Sequence, residues 1–271
     1  MKNKFKKTFE DKSLRNKQYT NNNQYDINQY KNIKISKFIS KSGICSRRKA
    51  EELLSLQKIK INGKLIINPA TRINDSDSVF IEGYGLVDPK TNNKTRLWLF
   101  HKPRNIIVSS YDPQNRKIIF DLLPKDMPRV ITIGRLDYQT EGLILITNSG
   151  YIARFFELPV NKVPRFYTCE YYGNINSDMI SSARKNLNID GFCYDSVIFN
   201  PINNQKVDIL IKEGKNREIR KIMEYFGLKI KRLIRRQYGI FSIKSVPNPC
   251  DLQEVTFEKI KYAIQQINCE Y

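Results

Sequence analysis

From Lys34 onward, apolar residues recur at two different periods, and the changes between them mark out the elements. In ISKFISKSGICSRRKAEELLSLQ, Ile35, Phe38 and Ile39 share one helical face, Gly43 breaks the pattern, and Ala50, Leu53 and Leu54 share a second face. Ser46 stands where a second helix needs its cap. Two alternating runs follow, Lys58 to Ile61 and Lys64 to Ile67, around Asn62-Gly63, a pair suited to the left-handed turn of a hairpin. Val79 to Ile81 would close this small sheet.

A second, longer set of elements begins near Arg96. LWLFHKP, Arg116 to Leu123, Val130 to Ile133 and Leu143 to Ile146 read as strands, and Tyr151 to Leu158 as one short helix. Tyr167, Cys169 and Tyr171 fall on one face of another strand by period two. Ile219, Ile222, Met223 and Phe226 recur at helical spacing, which predicts an amphipathic helix over 216–225 ended by Gly227, with a strand over Lys229 to Leu233. Phe257, Ile260, Ile264 and Ile267 predict a last helix. The pattern divides the chain into a tail (1–32), a small domain (33–82), a linker rich in Gly, Asp, Pro and Asn (83–95), and a large domain (96–271).

Composition changes this picture at both ends. The first 31 residues hold eight basic residues against three acidic ones and no periodic apolar face, so a disordered basic tail is expected there. It lacks the apolar core of a secretory signal. An organellar import signal stays open, although Lys and Asn outweigh Arg and Ser. Cytoplasmic location is therefore the expectation. Across the whole chain, 47 Lys and Arg against 27 Asp and Glu give a formal net charge of +20 and a pI of about 9.7, so a polyanion is the expected partner. No apolar stretch approaches the ~18 residues that span a bilayer, which argues against a membrane partner. Five scattered cysteines without a CxxC pair, and a single histidine, His101, speak against a disulfide framework, a zinc site or a Ser-His-Asp triad. His101, at the end of LWLF, is expected to be structural.

Candidate chemistry gathers at three places. Asp137 lies on a short loop between two β-branched runs, with Arg135 two residues away and Gly134 and Gly142 on either side. It could be a turn former or a carboxylate held rigidly at a strand's end. Arg47, Arg48 and Lys49 occupy the first turn of the second helix, where the helix dipole favours negative charge; a bound phosphate would relieve the conflict, and a solvated basic face is the alternative. Between Lys215 and Arg236 there are nine Lys or Arg against two Glu, an imbalance suited to phosphate contacts. Within that block, Arg220 borders the apolar stripe and could either reach inward to a carboxylate or pair with Glu224 four residues on.

GRLD at 134–137, followed by Thr140, Gly142 and LILITNSG, closely resembles the signature of pseudouridine synthases. SRRKAEEL and KIKING resemble the S4 RNA-binding domain carried by the branch that modifies ribosomal RNA. One departure is Gln57, where that family commonly has glycine; another is Leu158, where many relatives show a histidine. The resemblance implies an α+β fold, with a small S4 domain of helices plus a hairpin followed by a catalytic domain whose mixed, largely antiparallel sheet is flanked by helices. It also implies isomerisation of a specific uridine in ribosomal RNA, of the large subunit in preference, with Asp137 essential, Arg220 paired to it and Tyr167 packed on the target base. A non-catalytic ribosome-assembly factor is the alternative.

The expected partner is ribosomal RNA or a pre-ribosomal particle, bound by a monomer without metal or small-molecule cofactor. The contact residues would be Lys37, Lys41, Ser46, Arg47, Arg48, Lys49, Lys58 and Lys60 in the small domain. In the large one they would be Arg135, Lys215, Asn216, Arg217, Lys221, Arg232, Arg235 and Arg236.

Overall fold

The computed structural model describes residues 32–74, 76–87 and 94–269. The expected disordered tail lies, apart from Asn32, outside the described residues, as do residues 88–93 of the expected linker. The chain divides into two units between Asn93 and Lys94.

In the first unit, β1 (Ile33–Lys34) leads into α1 (Ile35–Lys41) and α2 (Arg47–Ser55), followed by β2 (Ile59–Ile61), β3 (Lys64–Leu65), β4 (Arg72–Ile73), β5 (Val79–Ile81) and β6 (Gly85–Leu86). The helical faces legible in the sequence meet as expected, for Ile35, Phe38 and Ile39 pack with Ala50, Leu53 and Leu54 over Ile59, Val79 and Ile81. Ser46 caps α2, its hydroxyl accepting from Lys49 N–H at 3.1 Å. Asn62 and Gly63 take positive φ of 50° and 79°, as a tight hairpin requires, and an antiparallel sheet forms in the order β3-β2-β5-β6. Here the expected linker starts too early: Leu86 and Gly85 pair with Phe80 and Ile81, and Val87 is buried in the same core. Glycines at 83 and 85 gave this stretch the composition of a linker, although they serve a turn and an edge strand.

The second unit is built on one nine-stranded sheet. Its elements are β7 (Leu97–Lys102), β8 (Ile131–Ile133), β9 (Thr140–Thr147), α3 (Gly150–Glu157), β10 (Arg165–Tyr172), α4 (Ser177–Ala183), β11 (Leu187–Ile189), β12 (Phe192–Tyr194), β13 (Ile198–Asn203), β14 (Lys206–Ile211), α5 (Glu218–Tyr225), β15 (Lys229–Tyr238), β16 (Phe241–Ser242), β17 (Leu252–Val255) and α6 (Phe257–Cys269). The main strand order is β13-β14-β10-β15-β9-β7-β17, with β8 on β9 and β16 on β15, while β11 and β12 form a separate hairpin. Only the β15–β9 pair runs parallel, so the sheet is mixed and largely antiparallel.

Alternation along the central strands sends side chains to two cores. Trp98, Phe100, Ile144 and Ile146 join Ile219, Ile222 and Met223 of α5 on one face. Leu97, Leu99, Leu143 and Leu145 join Ile152 and Phe156 of α3 and Ile260 and Ile264 of α6 on the other. Burial on both faces explains why these strands read as continuous apolar runs. β9 and β15 approach so closely that a Cβ on Gly142, whose φ is +108°, would lie 2.4 Å from the Arg235 carbonyl oxygen. That position admits only glycine.

Two expectations change. The strand expected over Arg116 to Leu123 is a 3-10 turn at Ile119–Leu122, because the Asp121 carboxylate accepts from Ile118 N–H at 2.9 Å and offers the backbone a local partner. The helix expected from Asn216 starts at Glu218, since Arg217 takes a left-handed φ of 52°.

Candidate active site

Asp137 sits on the six-residue connection between β8 and β9, and four contacts hold that loop. Gly134 N–H donates to Glu157 Oε1 at 2.7 Å, Asn105 N–H to the Tyr138 carbonyl at 2.8 Å, and Thr140 N–H to the Asp137 carbonyl at 3.0 Å. The fourth is Lys102, the last residue of β7. Its fully buried ammonium donates to the carbonyls of Thr140 at 2.7 Å and Pro103 at 2.9 Å and stands 3.5 Å from that of Tyr138. Burial pulls the Lys102 pKa down to about 8, against the opposing pull of Asp137 and Glu141.

α5 supplies the partner. Arg220 Nε donates to Asp137 Oδ2 at 3.0 Å and its Nη2 donates to Thr140 Oγ1 at 3.0 Å. One guanidinium therefore fixes both the carboxylate and the first residue of β9. The Arg220 side chain is 13% exposed and that of Asp137 is 29% exposed, so the pair is shielded on the arginine side and open on the carboxylate side. Arg220 takes the inward option, leaving Glu224 exposed.

A cleft of about 720 Å³ opens at this loop, lined by Asp137, Arg220, Tyr167, Arg135, Glu218 and Arg235 among others. Tyr167, in β10, is buried and lines the wall. Lys215, Asn216 and Arg217 line the rim from the turn before α5, all three exposed. Arg165 steadies that turn, donating to the carbonyls of Glu213 at 2.5 Å and Lys212 at 3.2 Å and to the Tyr238 hydroxyl at 3.1 Å. Arg235 departs from the expectation of a phosphate contact. It is 2% exposed, its Nε donates to the Leu143 carbonyl at 2.7 Å, and it lies 4.9 Å from the Tyr238 ring centre, so it belongs to the cleft floor. Arg232 is tied to Glu141, and Arg236 donates to Thr168 Oγ1 at 3.3 Å; neither lines the cleft. Lys221 stands beside the ring of Phe192.

Within the first unit, Lys37, Arg47, Arg48 and Lys60 are exposed. The pKa of Lys41 is lowered by burial first and then by the charges of Lys37 and Arg47, which places these three cations together. Ser46 is engaged as the cap of α2; Lys49 pairs with Glu52 at 2.6 Å and Lys58 with Glu82 at 3.6 Å.

Two residues at the site escaped the sequence reading, Lys102 and Glu218, and Thr140 entered it only as part of the signature. Lys102 and Thr140 brace the loop, and Glu218 is a buried carboxyl whose Oε2 accepts from Lys215 N–H at 3.0 Å while Oε1 has no partner among the described residues. Burial, helped by the nearby Glu213 charge, pushes Glu218 up to about 7. The sequence held a hint of Lys102 in its place beside Pro103 at a strand end, but nothing in spacing ties it to residues 138–140. His101 is structural, as expected: buried in β7, its Nδ1 lies 3.0 Å from the Val246 carbonyl oxygen. Cys169, pushed up to about 12 by burial, is no nucleophile. Among the described residues, no group of three His, Cys, Asp or Glu could hold a metal ion, and no helix is long and apolar enough to cross a membrane.

Comparison with known proteins agrees with this geometry. A profile described as RNA pseudouridylate synthase matches residues 96–225, and an S4 domain profile matches residues 33–79. An uncharacterized RNA pseudouridine synthase of Rickettsia typhi is 42% identical over 237 residues, covering 85% of this chain and 95% of the relative. The chain belongs to the RNA pseudouridine synthase family. It is an RNA-modifying isomerase with an N-terminal S4 domain. A protein of Buchnera aphidicola named ribosomal large subunit pseudouridine synthase B is 32% identical, covering 84% of this chain and 94% of the relative. The fold matches a crystal structure of pseudouridylate synthase with a TM-score of 0.63 at 18% identity, over 85% of this chain and 99% of that one.

Proposed function

We propose that this synthase converts a uridine of ribosomal RNA, in the large subunit in preference to the small, to pseudouridine, with Asp137 as the carboxylate at the sugar. Relatives named as large-subunit enzymes support the substrate. The bonded set of Asp137, Arg220 and Thr140 at the cleft carries the reading of the site.

The reaction breaks the bond between uracil N1 and ribose C1′, turns the detached base, and joins C5 to C1′. The C5 hydrogen leaves as a proton and N1 takes one up, so electrons balance without a redox cofactor. Positive character develops on the sugar as the first bond breaks. Asp137 can stabilise it, attack it or remove a sugar proton, and each role needs an anionic oxygen at a fixed place. Arg220 occupies one oxygen and supplies that fixity. Tyr167 stacks on the uracil, a contact usually worth ~1–3 kcal/mol per base. The uridine must leave any helix to enter the cleft. Arg135, Lys215, Asn216 and Arg217 then hold phosphates at the rim, and the cations of the S4 unit hold further ones. Asp137, Arg220 and Thr140 bond to one another within a single chain, which supports action as a monomer, and the ribosomal substrate supports a cytoplasmic location.

The decisive assay is tritium release from ribosomal RNA labelled at uracil C5. Wild-type protein should release tritium, and Asp137→Asn should release it slower by on the order of 10³-fold or more. Equal rates would remove Asp137 from the mechanism, and no release by wild type from either subunit's RNA would overturn the substrate. Carbodiimide-dependent primer extension on RNA from cells lacking the protein then identifies the uridine.

A further inference from the structure

The β11–β12 hairpin has no part in the chemistry described above, yet it touches the cleft rim through Lys215 and α5 through Lys221. Lys215, which lines the cleft and pairs with Glu213 at 2.5 Å, donates its ammonium to the Cys193 carbonyl and lies 5.4 Å from the Tyr194 ring centre. Lys221, next in sequence to Arg220, stands 4.8 Å from the ring centre of Phe192. The hairpin turns through Asp190 and Gly191, with positive φ of 51° and 76°, so Phe192 follows directly after the tip.

Packing does not account for Phe192. Leu187, Ile189 and Tyr194 anchor the hairpin in the core at 7%, 7% and 1% exposure, whereas Phe192, the cross-strand neighbour of Ile189, is 57% exposed. A single exposed phenylalanine is ordinary on a protein surface. This one follows a rigid two-residue turn, has an ammonium against its ring, and shares its hairpin with a lysine contact from the rim. An aromatic face flanked by cations is the chemistry that takes an unpaired nucleobase together with its phosphate.

We infer that Phe192, with Lys221 and Lys215, forms a second base-binding platform, which stacks an unpaired nucleotide of the substrate RNA flanking the target uridine. The inference rests on the proposed RNA isomerisation and adds an aromatic contact beyond the cleft rim, at Phe192. Holding a flanking base would keep the neighbouring strand open while the target is everted, and would favour substrates whose target lies in a loop or bulge.

The test uses full-length protein and a ribosomal RNA fragment that wild type modifies, carrying 2-aminopurine next to the target uridine. Phe192→Ala should raise KM about ten-fold and weaken the quenching of 2-aminopurine on binding. Phe192→Trp should restore KM to within about two-fold and quench more strongly, whereas Phe192→Leu, apolar but not aromatic, should behave like Phe192→Ala. Thermal unfolding should be unchanged in all three, because the ring is exposed. A KM within two-fold of wild type for Phe192→Ala, or full rescue by Phe192→Leu, overturns the platform. Either result leaves wild-type tritium release intact, so it is distinguishable from failure of the enzymatic reading, in which wild type itself releases none.

Discussion

Each side chain at the Asp137 loop answers for another. Lys102 holds the Thr140 carbonyl, Thr140 accepts from Arg220, and Arg220 holds Asp137, so the carboxylate is placed by a chain of three residues from β7, β9 and α5. Glu218 adds a proton to this neighbourhood. Facing Arg165 from β10, and Glu213 and Lys215 from the turn before α5, it has a folded pKa raised to about 7 from 4.5. Because the folded state holds this proton more tightly, the associated stability is complete below pH ~4.5 and is lost as pH rises through ~7, amounting to on the order of 3 kcal/mol. Glu218→Gln keeps an acceptor for Lys215 N–H and cannot ionise. Its stability relative to wild type should therefore climb between pH 5 and pH 8, measured by urea denaturation; a constant difference would show that Glu218 titrates normally. Asp137 became a candidate through the resemblance that GRLD carries, because a carboxylate between glycines at a strand end is by itself as much a turn former as a site. Glu218 was not legible: an acid in the first turn of a helix is ordinary, and its burial depends on Arg165 and Glu213 arriving from elsewhere.

Elements with strong local signals formed where the pattern put them. The Asn62-Gly63 hairpin, the Ser46 cap and the apolar stripe of α6 need only neighbours within a few residues to be specified. Where two local signals competed, the sequence misled: Ile118, Ile119 and Phe120 favour a strand, but Asp121 turns back on the Ile118 amide and wins. β15 also runs on to Tyr238, well past Leu233, because its partners β9 and β10 continue the ladder, and pairing is invisible in one strand's composition. Gln57, between α2 and β2, carries the opposite lesson. A glycine was the family's habit there, and Gln57 adopts the left-handed conformation that glycine takes freely, with φ at 59°. The side chain costs this turn about 1 kcal/mol. Gln57→Gly should stabilise the S4 unit by roughly 0.5–1 kcal/mol, seen as slower amide exchange in α2 and β2; unchanged or faster exchange would mean that the side chain repays its strain.

Across the whole molecule, charge is the property that binding must use, and its placement decides how. A formal net charge of +20 attracts any polyanion, and such attraction depends little on which cation is removed. A built phosphate site behaves differently. α2 starts with Arg47, Arg48 and Lys49 and has no acid in its first turn, against the preference of the helix dipole, and Lys37 and Lys41 gather beside Arg47. We propose that such crowding is relieved when a phosphate meets the guanidinium groups and first-turn amides at that helix start. Reversing Arg47 and Arg48 to Glu should therefore weaken RNA binding and lower the slope of log K against log salt by about 1.5–2, as expected for two lost phosphate contacts. Reversing Lys259 and Lys261, exposed cations on α6, changes net charge by the same amount and serves as the comparison. If both double variants lose affinity equally, the α2 start is one part of a diffuse field. If only the Arg47/Arg48 variant does, and its thermal stability rises as the like-charge crowding is removed, the conflict at the start of α2 is maintained for binding RNA.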